Sequence, residues 1–171
     1  MGHCKRAGIL TALELGAKSA LGVAIACAMV GFIIGTSSLT GLGLSISNNL
    51  IELAGGNLLY TMILSMIACL ILGMGLPTTA NYIVTSTMLA PALVKLGVLP
   101  IAAHFFVFYY GLMADLTPPV CLAAFTGAGI AGANPTKTGF TSTQLAIAAF
   151  ILPYMFVYSP QLLLQNINIL Q

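Results

Sequence analysis

The sequence predicts an all-α membrane protein that combines transmembrane helices with a re-entrant helical hairpin and a broken, unwound helix. Composition is the first reason, because 59% of the 171 residues are hydrophobic and 5% are charged, whereas soluble domains carry roughly a quarter charged residues. Apolar runs along the whole chain are the second reason, and they give a mean hydropathy of +1.06. Glycines and prolines that interrupt those runs are the third. A soluble fold and a single membrane anchor are both excluded.

The apolar runs divide one membrane domain, residues 1–171, into four segments. They are a first span at 19–36, a helical hairpin at 57–96 with its tip at 73–81, a broken span at 100–131 with its break at 115–119, and a last span at 142–159. The first segment covers about 27 Å at helical rise, enough to cross a hydrocarbon core. We expect an interfacial segment at 39–56 and a polar loop at 131–140. Two complete spans around Pro77 are an alternative to the hairpin, since both return the chain to the same side.

The positions of the cations predict the orientation. Lys5, Arg6 and Lys18 precede the first span, so the positive-inside tendency places the N-terminus in the cytoplasm of a multi-pass protein. Counting crossings then brings Lys137 to the same side. The net charge of +2, without a basic stripe, predicts no nucleic-acid partner.

Two interruptions at membrane depth carry oxygen-bearing side chains. Glycine loosens a helix and proline removes an amide donor, so the freed backbone groups must lie within protein or line a wet cavity. Half-helix N-termini attract anions, while freed carbonyls and hydroxyls coordinate cations. The candidate substrate- or ion-binding residues are Gly73, Gly75, Pro77, Thr78, Thr79 and Asn81 at the first break, and Asp115, Thr117, Pro118 and Pro119 at the second.

Within this set, Thr78, Asn81 and Thr117 are the candidate sodium ligands, because sodium prefers hard oxygen donors. Asp115 is an acidic residue inside an apolar stretch, and an intramembrane carboxylate is costly enough to suggest a function. Its partner is sodium or a proton, or it caps the half-helix that follows. A single kink more often shapes packing, and two breaks together favour transport.

Other polar and glycine residues favour structural roles. His104 stands among aromatics and favours a helix-to-helix hydrogen bond or an interfacial position near the start of its span over a proton relay, since one histidine does not make a metal site. Cys27, Cys69 and Cys121 lie in apolar runs without CxxC spacing and predict buried side chains. Small residues at Gly127, Gly129 and Gly132 predict close helix packing. Because no catalytic set or nucleotide loop is present in the sequence, we expect no enzymatic activity and no cofactor apart from sodium as coupling ion.

Three stretches, taken in order, carry a family resemblance: residues 72–82 (LGMGLPTTANY), 114–120 (ADLTPPV) and 129–140 (GIAGANPTKTGF). They resemble the large membrane subunit of TRAP transporters, in particular the fused permeases that work with TAXI-type binding proteins. The resemblance extends from about Ala12 to Pro160. It implies residues 73–81 as a hairpin tip and 115–119 as an unwound helix.

The resemblance also implies a function and its partners. It implies a tripartite, sodium-driven secondary transporter of a bacterial or archaeal inner membrane that receives organic acids or similar small solutes from an extracytoplasmic solute-binding protein. Such permeases contain two inverted repeats and are thought to move as elevators. With one hairpin and one broken helix, the chain corresponds to the second repeat, so the remaining repeat and small-subunit segments are expected partners within the lipid bilayer. The alternative is a membrane scaffold or assembly subunit that does not transport.

Overall fold

Helices and short turns account for the described chain. The structure is a computed structural model that describes residues 6–165, and no strand occurs among them. The helices are α1 (Arg6–Thr40), α2 (Leu42–Leu53), α3 (Leu58–Leu72), α4 (Thr78–Lys95), α5 (Pro100–Met113), α6 (Leu122–Ala131), α7 (Pro135–Leu145) and α8 (Leu152–Tyr158), with 3-10 turns at Ile147–Phe150 and Pro160–Leu163. The predicted all-α class is confirmed.

Local sequence signals explain several helix boundaries. The Asn57 side chain accepts a hydrogen bond from the amide of Leu59 at 3.0 Å and starts α3. Gly41, at φ 67°, separates α1 from α2. Pro100 occupies the first turn of α5, where a missing amide is tolerated. These caps set where each helix begins.

The core lies around α4, which packs against α1, α2, α3 and α5, while α5 also packs against α3 and α8. Leu89, Leu93 and Phe106 are fully buried there. The ring of Phe106 meets the ring of Tyr110 edge-on at 4.8 Å between centroids, and the Tyr110 hydroxyl donates to the Phe150 carbonyl. The last helical segment is thereby attached to the core.

Helix α2 crosses α4 closely, although its sequence predicts an interfacial segment. A Cβ on Gly43 would lie 2.9 Å from the carbonyl oxygen of Thr87, and the Ser47 hydroxyl donates to the Met88 carbonyl at 2.7 Å. Pro91 lies inside α4 and has no amide for the carbonyl four residues before it. Segment 39–56 therefore contributes to the packed core.

The helix lengths do not by themselves fix how many times the chain crosses the membrane, so the number of crossings stays a prediction. Gly8–Thr40 is long and apolar enough to cross a membrane, and Pro135–Leu145 with Ile147–Tyr158 would make a second span if that pair, bent by 54°, is one unit. The apolar helices Leu58–Leu72, Pro100–Met113 and Leu122–Ala131 are shorter. The predicted position of Lys5 lies outside the described residues.

One local prediction is wrong, and another finds no support within this chain. The polar loop predicted at 131–140 is helical from Pro135 onward, because the Asn134 side chain accepts from the amide of Lys137 at 3.2 Å and caps α7. Within the described part of the chain, a Cβ on Gly127 or Gly129 would have no heavy atom within 4 Å. Close packing against this chain is therefore not the role of these glycines.

Candidate ion- and solute-binding site

The first break is a tight turn, residues 73–77, between α3 and α4. Gly75 has φ +77°, a left-handed conformation that glycine adopts without a steric penalty. The amide of Leu76 donates to the Gly73 carbonyl at 3.4 Å, and the amide of Asn81 donates to the Pro77 carbonyl at 2.9 Å. Backbone hydrogen bonds, within residues 73–77 and to the start of α4, therefore close the first break.

The second break extends over residues 114–121, beyond the predicted 115–119, because α5 ends at Met113 and α6 begins at Leu122. The Thr117 hydroxyl donates to the Met113 carbonyl at 3.1 Å and so extends the end of α5. Cys121 is buried at φ 43°, a left-handed conformation that is uncommon for residues other than glycine. The Pro118–Pro119 peptide bond is cis.

One open cavity of about 510 Å³ joins the two breaks. It is lined by Gly75, Leu76, Pro77 and Thr78 from the turn and the start of α4, by Asp115 from the second break, and by Leu122, Ala123 and Thr126 from α6. Residues more than 35 positions apart in sequence thus meet at one site. In this structure the two breaks that the sequence predicts therefore lie next to each other.

The polar side-chain atoms of the cavity are the hard oxygens of Thr78, Asp115 and Thr126. One carboxylate oxygen of Asp115, Oδ1, is buried and has no hydrogen-bond partner among the described residues. Thr78 is exposed at the start of α4, and the Thr126 hydroxyl donates to the Leu122 carbonyl at 2.8 Å, which leaves its lone pairs free to accept or coordinate. Hydroxyl and carboxylate oxygens of this kind suit a small cation.

Asn81 has a different position from the other candidate ligands. It is 2% exposed, and its amide nitrogen donates to the Gly111 carbonyl of α5 at 2.8 Å. A Cβ on Gly73 would lie 2.7 Å from that nitrogen, and a Cβ on Gly111 would lie 3.1 Å from it. Two glycines therefore make room for the Asn81 amide, which links α4 to α5 behind the cavity.

The predicted site residues divide into two groups. Gly75, Pro77, Thr78 and Asp115 line the shared cavity, whereas Gly73, Thr79, Asn81, Thr117, Pro118 and Pro119 are not among its lining residues. Of the three predicted sodium ligands, Thr78 is the one at the cavity. The Thr117 hydroxyl is directed back to α5, and Thr79 and the two prolines are exposed.

Sequence reasoning missed Thr126 and Gly111. Thr126 follows Leu122 by four residues, so helical spacing after the second break places both on one face of α6. That spacing was the available signal. The carbonyl of Gly111 offered none, because its partner Asn81 is 30 residues away.

The residues predicted to be structural are found in such roles. The Tyr82 hydroxyl and His104 Nδ1 are hydrogen-bonded at 2.9 Å, which confirms a bond between α4 and α5. Cys69 and Cys121 are buried with free thiols, as predicted, whereas Cys27 is partly exposed, so the prediction is wrong for Cys27. These residues therefore belong to the packing around the site.

The fold and the site define an all-α protein with one open cavity between the turn at 73–77 and the break at 114–121. The chain matches the family model described as tripartite ATP-independent periplasmic transporter, DctM component, over residues 2–169, and it belongs to this family. The resemblance seen in the sequence is thereby confirmed. No curated protein and no solved structure matches the chain.

Membership of this family indicates the general function of the chain. The family comprises integral inner-membrane permease components of TRAP transporters, which act with a solute-binding protein on small-molecule solutes. It is a family of transporter permeases and not of enzymes.

Proposed function

We propose that this chain forms part of a sodium-coupled, binding-protein-dependent permease and that the cavity between its two breaks holds the coupling ion. The observation that carries the proposal is the cavity itself, which combines Thr78 from one break with Asp115 from the other. In this proposal α3 and α4 form a re-entrant hairpin with the turn as its tip, and α5 and α6 are the halves of one broken helix.

Charge favours a cation at this site. Among the eight lining residues Asp115 is the charged one, and none is Lys, Arg or His. A carboxylate in a low-dielectric environment needs a compensating charge, and a buried oxygen without a partner has capacity for it. Sodium binding at Asp115 would supply both.

The solute is proposed from different features. Helix α4 begins at the cavity with Thr78 and directs the positive end of its dipole there, which suits the carboxylate of an organic acid. Because no arginine of the cavity can clamp a carboxylate, the remaining repeat and the small-subunit segments are proposed to complete the solute site. An extracytoplasmic binding protein delivers the solute, the permease moves as an elevator, and the N-terminus faces the cytoplasm.

The test is sodium-specific stabilisation of the complete permease in detergent. A ligand that binds the folded state alone raises the unfolding temperature through mass action, so the midpoint should rise with NaCl and not with choline chloride. Thr78→Val should weaken sodium affinity about tenfold, which corresponds to about 1.4 kcal/mol. Asp115→Asn should remove most of the sodium response.

The matched control is Thr87→Val on the same helix, because the Thr87 hydroxyl donates to the carbonyls of Ile83 and Val84 and not to the cavity. It should keep the wild-type sodium affinity. An equal response to both salts would favour the scaffold alternative. A response to pH without a response to sodium would favour proton coupling at Asp115.

A further inference from the structure

The carbonyl of Leu116, between Asp115 and Thr117 in the second break, is held by side chains. In a continuous helix it would accept from the amide four residues later. Here the Thr143 hydroxyl donates to it at 3.2 Å, the Ser142 hydroxyl at 3.4 Å and the Cys121 thiol at 3.6 Å. Two of these three donors come from α7, a helix that does not line the cavity.

Among the described residues, no backbone amide donates to the Leu116 carbonyl. Pro118 and Pro119 have no amide hydrogen, the amide of Cys121 donates to the Thr117 carbonyl at 3.2 Å, and the amide of Ala123 donates to the Asp115 carbonyl at 3.3 Å. The Leu116 carbonyl lies between two acceptors that already have backbone partners. Without the α7 hydroxyls it would retain the weak thiol donor.

Close packing brings α7 to this carbonyl. Helix α7 packs against α6, and buried Gly139 lies against Cys121, where a Cβ would be 3.0 Å from the thiol sulfur. The Thr143 hydroxyl also lies 3.0 Å from the Gly139 carbonyl, so its single proton is shared between two acceptors. Leu116 is the acceptor found for the Ser142 hydroxyl among the described residues.

We propose that Ser142 and Thr143 are positioning residues that set the sodium affinity of the site through the Leu116 carbonyl. By holding that carbonyl, they fix the peptide that follows Asp115 and so keep the carboxylate at the cavity. The inference rests on the proposed function. It adds α7, whose first part the sequence predicts as a loop and whose residues 142–145 it assigns to the last span, to the machinery of the site.

The experiment measures sodium affinity from thermal unfolding of the complete permease, titrated with NaCl at constant total salt with choline chloride. The double variant Ser142→Ala/Thr143→Val should raise the sodium dissociation constant about fivefold to tenfold. The control Thr138→Val/Thr141→Val removes two hydroxyls from the same helix, each of which donates to the carbonyl four residues earlier at 2.9 Å. It should change the constant less than about twofold. The conservative variant Thr143→Ser keeps a hydroxyl at position 143 and should bind sodium as the wild type does.

The outcomes separate the inference from the proposed function. If the wild type shows no sodium-specific shift, both are overturned. If the wild type responds and the double variant loses thermal stability in choline chloride but keeps the wild-type sodium constant, Ser142 and Thr143 are structural and the inference alone fails. Should the double variant not fold, the single variant Ser142→Ala tests the inference in the same way. It removes one donor to the Leu116 carbonyl, so sodium binding should weaken about twofold to threefold.

Discussion

The turn at 73–77 is closed by hydrogen bonds of its own backbone, whereas the break at 114–121 takes support from side chains on other elements. Leu76 and Gly73 bond within the turn, while Leu116 accepts from Ser142 and Thr143 of α7. The first break is therefore encoded locally. The second depends on two residues of α7 that lie 26 and 27 positions after Leu116, so substitutions there should affect it and leave the turn intact.

The largest loss of stability is expected at Gly73, where the two breaks are in close contact. Gly73→Ala would place a Cβ 2.7 Å from the Asn81 amide nitrogen and 2.8 Å from the Cβ of Ala114. Overpacking of this kind costs about 1–3 kcal/mol, and the upper end is expected because a backbone oxygen also lies at 2.9 Å. Thermal unfolding in detergent measures it. Gly127→Ala is the control, since its Cβ meets no atom within 4 Å, and a similar loss there would contradict this account.

Asn81→Ala should have the next largest effect, because Asn81 links the first break to α5, the helix that precedes the second break. Its loss leaves the Gly111 carbonyl buried without its amide donor, which costs about 2 kcal/mol. Unfolding in detergent checks the stability, and sodium titration checks the site. Asn49→Ala, at an exposed position of α2, should change neither. If Asn81→Ala is as stable as the wild type, Asn81 does not clamp α4 to α5.

Thr117→Val should act on the second break with a smaller effect. It keeps the shape and removes the hydroxyl that donates to the Met113 carbonyl at 3.1 Å, so the stability loss should be about 1 kcal/mol. The sodium dissociation constant should rise less than it does for Thr78→Val, because Thr117 is not a lining residue. A larger rise for Thr117→Val would instead make it a direct sodium ligand.

The smallest effect is expected at Pro153, in the first turn of α8. A proline there removes no helical hydrogen bond, so Pro153→Ala should lose the packing of a few buried atoms and cost less than about 1 kcal/mol. Sodium titration should give the wild-type constant. Loss of the sodium response in this variant would move the site away from the two breaks.

The sequence was sufficient for the fold class and for both breaks, because glycine and proline interrupt apolar runs in a way that composition reveals. It was not sufficient for the ligands. Asn81 and Thr78 are three residues apart on α4, yet one is buried against α5 and the other is at the cavity, and tertiary packing decides between them. The first part of helix α7, predicted as a loop up to residue 140, was missed because its polar sequence lacks apolar periodicity, although Asn134-Pro135 is a helix-start signal.

The central claim is that both breaks share one sodium-binding cavity, and cysteine labelling tests it most directly. Thr78→Cys and Ala123→Cys, each in a complete permease whose native cysteines are replaced, place a thiol on α4 and on α6, two helices that line the cavity. Lys95→Cys, exposed at the far end of α4, is the control. We predict that NaCl, compared with choline chloride, slows maleimide labelling at 78 and 123 and leaves 95 unchanged. The half-maximal concentration should be about tenfold higher at 78 than at 123, because Thr78→Cys removes the Thr78 hydroxyl from the site. Protection of one cavity position without the other, or of neither, would contradict a shared sodium site.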